Sequence, residues 1–232
     1  MRSETLRDFG AERMTFRHDV LRDWAVANVL IEDIGKISLV PLDKHIPTTL
    51  ARGVEMAARV MLEKSSDGSV WKQLLDGGSD ASAHGSWRRT VLLAVTRSEH
   101  AAAAIHHADA YLVTDDARLL RELLRTVKAV DVMPASAYLP EGVAAPGGLM
   151  LPSGPSWGRL IVWSLGLRDR FPAAAIPDTV DILSWWLAIA GATSKVAPNV
   201  VGKLYTWLMA TERDDREPPF NGVLTAMTLC AP

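Results

Sequence analysis

Cysteine is almost missing: Cys230 is the only one in 232 residues. It can close no disulfide within the chain and build no cysteine-based zinc site, which suits a reducing compartment. Long apolar runs are missing too, and nothing approaches the roughly 20 residues a membrane span needs. Charge of one sign is not in excess, the formal net charge being −2, so no global pull toward nucleic acid or anionic membrane is expected. The phosphate cradles G-x-x-x-x-G-K-[ST] and G-x-G-x-x-G do not occur. No histidine follows His107, so a general base in the second half of the chain would have to be something else. Phenylalanine (4) and tyrosine (3) are scarce beside eight tryptophans, whose large indoles suit the gaps where helices cross. What remains is an ordinary globular composition, 48% hydrophobic and 22% charged, long enough to bury a core. The opening MRSETLRDFGAERM is charged and has no signal-peptide core, and the cytoplasm is the expected location.

Helical periodicity runs along most of the chain. Over 16–33, Phe16, Val20, Trp24, Ala27 and Leu30/Ile31 fall on one apolar stripe, with Arg17, Arg22 and Asp23 elsewhere. A second helix is expected over 46–63, with Pro47 in its first turn and Leu50, Val54, Ala57/Ala58 and Met61 facing inward. SSDGS at 65–69 reads as a loop, and 81–97 and 98–107 as a pair of shorter helices. Residues 115–130 form a strongly amphipathic helix, capped by Asp115 or Asp116, that buries Leu119, Leu120, Leu123, Leu124 and Val127. Five prolines and four glycines between 134 and 155 stop the pattern; this is a boundary or a functional loop, with room for a short hairpin around Leu149–Leu151.

The C-terminal third repeats itself: IPDTVDILSWWLAIA (176–190) aligns with APNVVGKLYTWLMA (197–210), Pro177 on Pro198, Val180 on Val201, Leu183 on Leu204, Trp186 on Trp207 and Leu187 on Leu208. Proline at the start and an apolar residue every third or fourth position is how a helical repeat encodes its core face. The expected fold is all-α: stacked antiparallel helices, α-solenoid-like, as in a HEAT or armadillo superhelix. Three segments are expected, an N-terminal helical region (1–133), the Pro/Gly-rich connection (134–155) and C-terminal helical repeats (156–232).

Catalytic patterns mostly fail on their own requirements. Gly154-Pro155-Ser156-Trp157-Gly158 fits a G-x-S-x-G elbow, but no histidine follows to act as base, so a turn before a helix is expected. His18-Asp19 lacks the other ligands of a metal-binding doublet. His100, His106 and His107, with Asp109, are the densest metal-like cluster and define the alternative of a metal-dependent enzyme, though a site needs three or four convergent ligands. Neither metal nor cofactor is expected. Arg118, Arg121, Arg125 and Lys128 form a basic stripe opposite the leucine face and are the candidate interaction surface; a solvated helix face has the same spacing, and protein is the expected partner before nucleic acid. Arg88-Arg89 adds a small second basic spot.

The segment Phe16-Arg17-His18-Asp19-Val20-Leu21-Arg22-Asp23-Trp24-Ala25-Val26-Ala27 resembles a signature of STAND-type NTPases, the NACHT and AP-ATPase group. There, a phenylalanine, a histidine two residues on and an aromatic-Ala helix mark the end of a winged-helix module that packs on the P-loop core. The resemblance implies that His18 senses nucleotide only beside a separate ATPase core, and that the following helices are a non-catalytic arm or sensor in signalling or antiviral defence. The partner would then be a protein or the adjacent ATPase domain. It covers about a dozen residues, and the P-loop, the Walker B acids and most of the winged helix are missing. An ordinary amphipathic helix fits the same residues, and the alternative is a free-standing protein-binding scaffold. The arm implies a solvent-facing apolar patch on the N-terminal helices and no ATP hydrolysis by this chain alone.

Overall fold

The computed structural model describes residues 6–8, 14–16, 19–78, 82–137, 150–191 and 194–210, and over these the protein is all-α. His18, Cys230 and most of the 134–155 connection lie outside the described residues. The chain divides into two compact units, Met1–Ala108 and Asp109–Pro232, the division falling inside a helix. Among the described residues no helix is long and apolar enough to cross a membrane.

In the first unit a short antiparallel ribbon, β1 (Leu6–Asp8) and β2 (Met14–Phe16), precedes α1 (Asp19–Glu32), α2 (Thr48–Lys64), α3 (Ser69–Gly77) and α4 (Gly85–Arg97). Helix α2 is the centre, packing against α1, α3 and α4. It starts where Pro47 fixes the entry backbone, and it buries Val54, Ala57, Ala58, Met61 and Leu62. Its small residues let neighbours come close. At Gly53 an added Cβ would lie 2.6 Å from Val26 Cβ and 2.8 Å from the Asp23 carbonyl oxygen, so α1 rests its backbone on this glycine. Two fully buried indoles lock the rest: Trp71 Nε1 donates to the Val91 carbonyl at 3.1 Å, and Trp87 Nε1 to that of Lys44 at 2.8 Å.

The apolar stripe of α1 is only partly buried. Phe16 belongs to β2, and Val20 and Trp24 are 71% and 60% exposed, while Asp23, Ala27 and Leu30 are buried. The helix is turned so that its contact with Gly53 puts the 23–27–30 side inward, leaving half of the apolar stripe in solvent. Arg22 makes burial of Asp23 tolerable by donating to its carboxylate at 3.0 Å.

Helix α5 (Ala101–Val113) spans the division. The second unit continues with α6 (Arg118–Val130), β3 (Val132–Pro134), β4 (Met150–Pro152), α7 (Pro155–Gly166), α8 (Ile176–Trp186) and α9 (Ala197–Ala210). All five expected leucine and valine positions of α6 are buried. Its start differs from expectation: neither Asp115 nor Asp116 caps it, because both, with Ala117, sit in the left-handed region at φ 51°, 52° and 54°. This tight turn replaces a side-chain cap, and Asp tolerates it better than most residues. Where the sequence leaves room for a short hairpin around Leu149–Leu151, β4 instead pairs antiparallel with β3, which leads into the connection, Val132 opposite Pro152 and Pro134 opposite Met150; Leu149 lies outside the described residues. Helices α8 and α9 pack together, and the matched repeat positions Leu183/Leu204 and Trp186/Trp207 are all buried.

Two outcomes check this account. Gly53→Ala gains about 1 kcal/mol of helix propensity but must push back α1 backbone, and we expect a net loss of about 1–3 kcal/mol in thermal unfolding; a raised Tm would show that α1 yields freely. In the 65–69 loop, Asp67 accepts hydrogen bonds from the Ser65 hydroxyl (2.7 Å) and from the Ser69 amide (3.0 Å) and hydroxyl (2.8 Å), which lower its pKa from 3.8 to about 2. A lowered folded-state pKa gives stability that is present above the unfolded value and lost as pH falls through the folded one. The stability difference between wild type and Asp67→Asn should therefore shrink between about pH 4 and about pH 2 in urea titrations; a difference independent of pH would assign the effect to something other than the carboxylate.

Candidate functional site

The basic stripe of α6 is largely engaged from within its own unit. Arg121 Nε donates to Asp178 Oδ2 at 3.0 Å, Arg125 Nε to Asp178 Oδ1 at 2.8 Å, and Lys128 pairs with Asp181. Asp178 and Asp181 stand three apart on α8, one turn, so they meet cations spaced three and four apart on α6. The Asp178 carboxylate, by hydrogen bonding first and charge second, makes the Arg125 guanidinium hold its proton more firmly than usual. Lys128 also lies 5.6 Å over the Trp185 ring. Arg118, also exposed, is the one of the four that forms no ion pair among the described residues. The stripe is thus a clasp between α6 and α8 more than an open surface for phosphate.

The histidines are dispersed in role. His107 Nδ1–H donates to the Leu62 carbonyl at 2.6 Å, His106 and His100 are exposed, and the His100 amide donates to Ser98 Oγ at 3.0 Å. Among the described residues no group of three or more His, Cys, Asp and Glu could hold a metal ion. Ser156 is buried in the first turn of α7, after Gly154 at φ 71°, and so is no exposed elbow. One serine–histidine contact escaped the sequence reading: Ser86 Oγ and His84 Nδ1 are 2.9 Å apart. Ser86 is buried and its oxygen already accepts the Ile46 amide at 2.9 Å, while His84 accepts the Ser86 amide at the start of α4. This arrangement caps a helix; a nucleophile needs an open approach.

The first unit does contain a concave polar site. A cleft of about 510 Å³ is lined by Asp23 of α1, Arg52, Glu55, Met56 and Arg59 of α2, and Arg97 of α4. Spacing i, i+3, i+4, i+7 puts the four α2 residues on one face. The Gly53 contact brings α1 alongside them, and the packing of α4 on α2 adds Arg97. Glu55 organises the floor: one carboxylate oxygen pairs with Arg59, the other accepts from Arg97 Nη1 at 2.9 Å. Asp23 is occupied by Arg22. Arg59 Nε–H is buried without a hydrogen-bond partner, an arrangement that costs about 1–3 kcal/mol. Arg52 is exposed and makes no hydrogen bond or ion pair among the described residues. Three guanidiniums therefore line the cleft against two carboxylates, both already engaged. The α2 face was readable as a polar stripe, but its convergence with Asp23 and Arg97 leaves no local signal. No protein-family model matches the chain, and no curated protein sequence matches it.

The α6–α8 clasp can be measured. Because Arg121 and Arg125 are 40% and 62% exposed, solvent screens their pairs, and Asp178→Ala should cost about 1 kcal/mol or less. In urea titrations the loss should diminish at about 1 M salt; a loss of equal size there would assign it to packing.

Proposed function

We propose that this chain is a non-catalytic helical interaction module, an arm or sensor region of the kind that follows the ATPase core in STAND-type NTPases, with its helices stacked in α-solenoid fashion. The observation that carries this is the exposed apolar stripe on α1, where Val20 and Trp24, four residues apart, stand in solvent. It lies on the helix that continues the Phe16–Ala27 resemblance, where an adjacent domain or protein partner would dock. Burial of a tryptophan from solvent is the type of contact that anchors protein interfaces. The proline-initiated pair α8 and α9, with equivalent leucines and tryptophans buried, supports the repeat character.

The test is a photo-crosslinking residue placed at position 24 in the cells the protein comes from, with position 32, exposed at the end of α1, as control. A discrete crosslinked protein at 24, absent at 32 and lost in Val20→Ser, is expected. Equal labelling at both positions, or none at 24, would overturn the docking role of α1.

A further inference from the structure

The geometry points to the α1–α2–α4 cleft as a binding site for a small molecule that carries an oxyanion, a phosphate or a carboxylate, with Arg52 as its principal contact. Charge gives the first reason. Asp23 is satisfied by Arg22 and Glu55 by Arg59 and Arg97, so the cleft keeps an exposed guanidinium in Arg52 that no carboxylate among the described residues answers. Guanidinium forks match a pair of carboxylate or phosphate oxygens and bind them through two parallel hydrogen bonds.

Position gives the second. Arg52 and Arg59 are seven residues apart on the same face of α2, about 10 Å along the helix, with Met56 between them. Arg59 is held by Glu55 through one terminal nitrogen, and its side chain remains a third exposed to the cleft. Arg97, held to the other Glu55 oxygen, closes the far side. Glu55 thus fixes two guanidiniums in place beforehand, which reduces the ordering cost of taking up a ligand. A free ion would fill little of the space: about 510 Å³ falls within the range of small-molecule sites. The ligand therefore has an organic body beyond its charged group, and Met56, a flexible and polarizable side chain, is the surface on which that body rests. The site would operate whether or not α1 docks a protein.

The test follows the arginine Nε–H signals of the full chain by NMR during titration with phenyl phosphate, benzoate and, as the neutral body, benzyl alcohol. Saturable shifts of Arg52 and Arg59 with either anion and none with the alcohol are expected, and which anion saturates identifies the charged group. Arg52→Ala should weaken binding about tenfold or more, while Arg118→Ala, an exposed arginine of the other unit, should leave it unchanged. No saturation up to roughly 10 mM, or equal weakening by both substitutions, would overturn the proposal, the second outcome assigning the shifts to general charge.

Discussion

The structure depends on giving buried indole N–H groups a partner. Trp71, Trp87 and Trp157 are almost wholly enclosed, and each carries an N–H donor that must find an acceptor within the fold. In every case a main-chain carbonyl accepts it: that of Val91, Lys44 or Asp131. A carbonyl inside or beside a helix does not move alone, so each bond fixes a large ring and also the segment that accepts it. In the first unit this holds α3 to α4, and the 44–46 stretch to the start of α4. The scarcity of phenylalanine and tyrosine has this counterpart: bulk is supplied by residues that also carry a directional bond.

The cleft arises from a different economy, in which a side chain is dispensed with. Gly53 has no Cβ, and its place is taken by Val26 and the Asp23 carbonyl. The close approach sets α1 beside the polar face of α2 and brings the Asp23 carboxylate to the cleft wall. One helix then serves two environments. The inner residues of α2 form the core of the first unit, and its outer face, with Glu55 bridging Arg59 and Arg97, forms a charged surface whose geometry is held from beneath.

Much of the helical content was legible because it is local. The leucines of α6 and the proline-initiated α8 and α9 carry their own periodicity, and all of the α6 positions are buried as expected. Failures occur where one element depends on another. Periodicity identifies α1 and its apolar stripe, but which half of the stripe is covered is decided by Gly53, on the next helix, and so Val20 and Trp24 stay exposed. The basic stripe looked open because its acids, Asp178 and Asp181, are more than fifty residues away. The cleft draws on three helices, and nothing in any one of them announces the other two.

The Asp131 carbonyl accepts both the Ser153 amide, at 2.9 Å, and the Trp157 indole, at 2.7 Å, just beyond the paired β3 and β4. The two ends of the 135–149 segment are thereby stapled together by bonds that do not involve the segment itself. A single oxygen thus answers to two elements at once: displace the Asp131 carbonyl, and the β3–β4 ribbon and the first turn of α7 lose their shared anchor together.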